Sequence, residues 1–186
     1  IPIDRPFLDY VISALADSGI AEVCLVIGPE HASIRDYYDR LKLTRVRVAF
    51  AIQQKPRGTA DAVAAAETFA GSDNFLALNG DNFYPPAALE SLTRLSGPGV
   101  AGFTRAGMLR GNVAADRLAA FALLDVTADG NLAGVTEKPG AELVAARGEA
   151  ALLGMNAWRF GPSVFDACRA IAPSPRGEYE ITDAAR

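Results

Sequence analysis

Strand-length apolar runs alternate with helix-period stretches through the first half of the chain, and that rhythm leaves few architectures open. Residues 21–28, AEVCLVIG, are an apolar run of strand length, which suits a sheet buried on both faces. Ahead of it, Phe7, Leu8, Val11, Ile12 and Leu15 recur at helical spacing. Gly19 then stands where a helix end wants a left-handed residue. Residues 30–41 read as a helix, RVRVAFAIQ as a strand, TADAVAAAETFA as a helix and NFLALN as a strand. Pro86 can open the helix AALESLTRL in its first turn. Alternation of this kind predicts a parallel α/β sheet with right-handed crossovers. In such sheets ligands bind beyond the carboxyl ends of the strands.

Further on the rhythm changes. VAGFTR, AAFALLDV, LAGVTEKP and ALLGMNAWRF are strand-like with turns between them, a mixed extension of the sheet. PSVFDACRAI and EYEITDAAR read as two closing helices. The 186 residues suit one domain with a sizeable core. A net charge of −4 argues against a nucleic-acid groove, which needs a basic stripe. The apolar runs are broken by Gly, Pro or charge, so none predicts a membrane span, and no secretory signal pattern opens the residues given. Cys24 and Cys168 are too few and too far apart for a disulfide framework or a zinc site, and read as reduced thiols of a cytoplasmic protein. With His31 the sole histidine, any metal is expected to be a hard cation held by carboxylate.

Four segments near the predicted strand ends carry unusual chemistry. In Gln53–Ala60, Gln53 offers an amide that can pair with a nucleobase edge, Gly58 permits close backbone approach to a planar ring, and Thr59 is expected to cap the following helix. A polar turn plus a helix cap looks much the same. In Leu78–Tyr84, Asp81 follows Gly80 at the tip of a buried strand, where it suits a Mg²⁺ ligand or an ordinary turn. In Thr136–Pro139, Glu137 can bind sugar hydroxyls and Lys138 a phosphate, provided a bend turns both to one side; otherwise they are solvated surface. In Pro173–Asp183, Arg176 sits on a proline-stiffened loop and can clamp a phosphate or simply face solvent.

Taken in order, QxxxxGTA, LNGDNFY, TEKP and PSPRGEYEITDA resemble the sugar-phosphate nucleotidylyltransferase family, with the nearest likeness to glucose-1-phosphate thymidylyltransferases and their uridylyl relatives. The resemblance covers nearly the whole chain. It implies an α/β, Rossmann-like three-layer nucleotidyltransferase fold with a mostly parallel mixed sheet. It also implies transfer of a nucleotidyl group from a nucleoside triphosphate, dTTP or UTP favoured, to a sugar-1-phosphate, glucose-1-phosphate favoured, with Mg²⁺ as cofactor. By resemblance, Gln53, Gly58 and Thr59 belong to the base site, Asp81 to the metal, Glu137 and Asn156 to the sugar, and Lys138 and Arg176 to the sugar phosphate. Asp81, Lys138 and Arg176 are the catalytic candidates.

Two departures accompany the likeness. The family's Gly-rich GxGTR loop and first strand precede the position of Ile1, and its second metal-binding Asp follows Arg186. A domain over residues 1–186 is therefore expected to be cut from a longer chain, and a sheet without its central strand leaves two edges unpaired. A non-catalytic, nucleotide-sugar-binding relative of the same fold is the alternative. An unrelated doubly wound binding module is a further one, but it gives no reason for TEKP or PSPRGEYEITD. Many relatives self-associate, so a homo-oligomer is compatible with the chain.

Overall fold

Helix α1 (Phe7–Asp17) buries Val11, Ile12, Ala14 and Leu15, the stripe expected from its spacing. It ends in a Schellman motif: Gly19, at φ 84°, donates to Ala16, and Ile20 donates to Leu15. The computed structural model describes residues 4–111 and 113–186. Strands β1 (Glu22–Ile27) and β2 (Arg47–Ile52) pair in parallel through the crossover helix α2 (Ala32–Arg40). After β2 come α3 (Thr59–Ala65), α4 (Glu67–Ala70), β3 (Phe75–Leu78) and α5 (Pro86–Arg94), which Pro86 opens as expected. The single helix expected over 59–70 is broken at Ala66, whose φ and ψ of −89° and 3° leave the helical region.

The second half holds β4 (Gly99–Thr104), α6 (Arg105–Arg110), a 3-10 turn (Ala115–Ala120), β5 (Ala122–Val126), β6 (Leu132–Thr136), α7 (Ala141–Ala146), β7 (Leu152–Phe160), α8 (Ser163–Ala170) and α9 (Ile181–Ala184). The α/β class holds. In place of one mostly parallel mixed sheet, the described strands form two sheets: β1·β2 is a parallel pair, whereas β3·β7, β4·β7, β5·β7 and β5·β6 make an antiparallel sheet. Three of these ladders involve β7, which runs against each of its partners, and the fourth joins β5 to the strand that follows it.

Both β4 and β5 pair with residues 152–154 of β7, so they occupy its opposite edges; β3 shares the β5 edge, against Ala157–Phe160. Strand β3 therefore ends where β5 begins, leaving a break in the sheet beside Met155 and Asn156. The ladder between β4 and β7 also shifts register between Val100 and Gly102, a bulge on β7 at the same place. Among the described residues, β1 pairs only with β2 and β3 only with β7.

Side chains of β7 alternate between two helical layers. Trp158 and Phe160 pack with Ala60 of α3, Val164, Phe165 and Cys168 of α8 and Ile181 of α9. Ala157 packs on the opposite face with Val11 and Leu15 of α1 and Leu89 and Leu92 of α5. Val23 of β1 and Leu76 and Leu78 of β3 lie against this second cluster, so α1 covers both sides of the gap between the two strand groups. Cys168 is buried, and burial pushes its thiol up to about 11. No helix among the described residues is long and apolar enough to cross a membrane.

Candidate functional site

The break in the sheet is a polar cavity of about 160 Å³ lined by Asn79, Asp81 and Asn82 after β3, Arg117 and Phe121 before β5, Glu137 after β6, and Asn156 of the bulge. Buried Tyr84 fixes its floor. The phenol donates to the Met155 carbonyl at 2.6 Å and accepts from the Asn79 N–H at 3.2 Å. Asn82 donates to the same carbonyl at 3.2 Å. Desolvation holds the Tyr84 hydroxyl above its ordinary pKa, so it stays a donor. The bulge frees the Met155 carbonyl for this role, and Asp81 is left exposed at the cavity edge.

Among the described residues, two without Gly's freedom adopt left-handed backbone: Asn156 at φ 53° and Lys138 at φ 44°. Both were candidates from sequence. Asn156 keeps its side chain half-buried, with Oδ1 accepting from Trp158 Nε1 at 3.3 Å. The backbone does turn at Lys138, but it does not bring both side chains of the pair into the cavity. Glu137 enters the cavity; Lys138 is exposed and does not line it.

A second cavity, of about 380 Å³, opens at the carboxyl end of β2, with Gln53, Lys55, Arg57 and Asp61 in its wall. The Gln53 amide nitrogen donates to Asp61 Oδ2 at 2.9 Å and to the Gly58 carbonyl at 3.1 Å. The two cavities share no lining residue, so base and sugar candidates occupy different hollows.

Gly58 has φ 117°, and a Cβ there would lie 2.5 Å from the Tyr179 carbonyl oxygen, so only Gly fits. This close approach stitches the two loops together: Tyr179 donates to Arg57 at 2.8 Å and Ala60 to Tyr179 at 2.9 Å. Thr59 does not cap α3. Gly58 takes the cap position because of its backbone, and Thr59 is the first helical residue. Its hydroxyl instead accepts the Ile181 N–H at 2.9 Å, capping α9 from across the chain. Arg176 is held by Glu180, which is 7% exposed, and lies 3.6 Å from Glu178. The hydrogen bond to Glu180 raises its guanidinium pKa, with smaller help from Glu178 and Glu137.

Asp81, Glu137 and Asn156 are thus brought together, Gln53, Gly58 and Thr59 form a separate group, and Arg176 is held by Glu180. Arg117, Tyr84 and Asp61 were not foreseen. Arg57 and Asp61, four apart with Arg57 just ahead of α3, gave a faint signal; Arg117, on a 3-10 turn without apolar periodicity, gave none.

A family model described as nucleotidyl transferase matches residues 2–186. The chain belongs to the nucleotidyl transferase family. This nucleotidyl transferase chain is 30% identical over 182 residues to the low-salt glycan biosynthesis nucleotidyltransferase of Haloferax volcanii, covering 97% of this chain and 48% of that protein. It is 32% identical over 197 residues to a glucose-1-phosphate thymidylyltransferase of Streptomyces antibioticus, again covering 97% and 48%. The chain spans about half the length of the curated relatives it matches. Among solved structures, a UDP-glucose pyrophosphorylase complexed with UDP-glucose superposes with a TM-score of 0.76 at 18% identity, over 100% of this chain and 76% of that one. The enzyme of that name from Acinetobacter baumannii gives 0.75 at 19% identity, over 98% and 71%. At such identities the likeness establishes the fold.

Proposed function

We propose that this chain carries the acceptor and base sites of a sugar-1-phosphate nucleotidylyltransferase that uses dTTP or UTP, with glucose-1-phosphate as the favoured acceptor. The observation that carries the proposal is the shared polar cavity of Asp81, Glu137 and Asn156 at the break beside β7. Gln53 stands just past the end of β2, where a base reader is expected. A phosphate oxygen of the acceptor attacks the α-phosphorus in line. The bond to the bridging oxygen breaks, and pyrophosphate leaves with the electron pair. Both reactants are anions, so the protein's work is alignment and neutralisation.

Glu137 and Asn156 would orient the sugar through its hydroxyls, and Lys138 and Arg176 would meet its phosphate. To do so Arg176 exchanges its carboxylate partners for the phosphate, which its exposed position permits. Asp81 is an exposed carboxylate flanked by amides, and among the described residues no three His, Cys, Asp or Glu side chains form a protein-only metal cage. That donor set fits Mg²⁺, which takes one or two carboxylates and leaves its other positions to water and phosphate. When bound, the ion would supply neutralisation of phosphate charge.

The test is pyrophosphate release by the protein carrying this chain, crossing four triphosphates with several sugar-1-phosphates in the presence of Mg²⁺. Asp81→Asn is expected to lower kcat about a hundred-fold or more with an unchanged circular dichroism spectrum. An unchanged kcat would take Asp81 out of the mechanism. No release from any pair would leave the non-catalytic relative standing instead.

A further inference from the structure

We propose that Asp61 is a positioning residue for base selection: it locks the Gln53 amide so that the site offers an outward hydrogen-bond acceptor. The inference rests on Gln53 reading the base, as proposed above. The orientation of the amide follows from its neighbours. Asp61 Oδ2 at 2.9 Å and the Gly58 carbonyl at 3.1 Å can only accept, so the NH₂ group must face them, and its two protons are both used there. A flipped amide would set oxygen against carboxylate. Oε1 is left as the group the side chain can offer to a ligand.

Asp61 is itself held. Its other oxygen, Oδ1, accepts from Arg57 at 2.5 Å, so each carboxylate oxygen has one task. The Asp61 side chain is only 18% exposed, and the Arg57 guanidinium lies 5.7 Å from the centre of the Tyr179 ring. A bare surface ion pair would be worth little; here the pair anchors a carboxylate that faces inward to the amide.

An outward acceptor selects bases with an N–H at the middle of the pairing edge. Uracil and thymine present N3–H between two carbonyls. Cytosine, of the same ring size, presents a lone pair at that position and meets Oε1 with repulsion. Cytosine is therefore the competitor that the lock rejects most cleanly.

Steady-state kinetics of Asp61→Asn, Asp61→Ala and Gln53→Ala with dTTP, UTP and CTP test this, with melting temperature as the folding control. Asp61→Asn keeps the shape of the side chain but can turn either group toward Gln53. Both Asp61 variants should raise KM for dTTP and UTP roughly ten-fold, the worth of one lost hydrogen bond, with kcat within about two-fold. The preference over CTP should fall by a similar factor. If Gln53→Ala loses the preference while both Asp61 variants keep it, the lock is refuted and the base reading stands. If Gln53→Ala changes nothing, the base reading falls and the lock falls with it.

Discussion

The two left-handed residues of the site, Asn156 and Lys138, explain more than their side chains do. Asn tolerates φ near +50° better than any residue except Gly. Asn156→Gly is expected to melt within a few degrees of the parent, whereas Asn156→Val should lose about 1–3 kcal/mol in denaturant unfolding. Equal stability of the two variants would mean the bulge relaxes freely. Lys138 carries a comparable cost on an exposed bend, with no packing to recover it. Lys138→Gly should therefore gain about 1 kcal/mol of stability while raising KM for the sugar-1-phosphate. A stabilised variant with unaltered sugar-phosphate kinetics would dismiss the side chain from the site. Neither strain was readable from residue identity: TEKP and GMNAW name the side chains, but the turned backbone comes from the bend after β6 and the bulge of β7. Glu137 needed only its place at a strand end to be found.

At the scale of elements, the base-side loop and the final helix are one construction. Gly58 admits the Tyr179 backbone, and Thr59 supplies the acceptor that the first turn of α9 lacks. Two motifs that sequence reading treated separately, GTA and GEYEITD, are thus a loop and its clamp. Thr59→Val keeps the shape and removes the acceptor. It should cost about 1 kcal/mol and loosen the Arg176 loop, measurable as a lower melting temperature and faster proteolysis after Arg176. A melting curve superimposable on the parent's would show that α9 finds another cap. The longer elements were legible because burial imposes its period on them: the stripe of α1, the Pro86 start of α5 and most strand runs were found within a few residues. Helices α6 and α7 and the 3-10 turn were not. Each is six residues long, too short for an apolar period to repeat, and each is held by contacts with distant strands. Arg117 enters the cavity from one of these, which is why no sequence pattern pointed to it.

The molecule as a whole is two strand groups under shared helices. The β1–β2 pair and the β3–β7 group exchange no ladder hydrogen bonds among the described residues; side chains around α1 and α3 join them. Cohesion of that kind is weaker and less directional than a continuous ladder. Native-state hydrogen exchange should then report two opening free energies, with amides of β1 and β2 exchanging through a partial opening that leaves β7 closed. A single value common to both groups would contradict it. The division falls between Gln53 and Asp81, so a fluctuation that lifts one strand pair would part the Gln53 cavity from the Asp81 cavity. Binding a molecule long enough to touch both would then slow exchange in β1 and β2 more than in β7, making the ligand itself the missing rung between the halves.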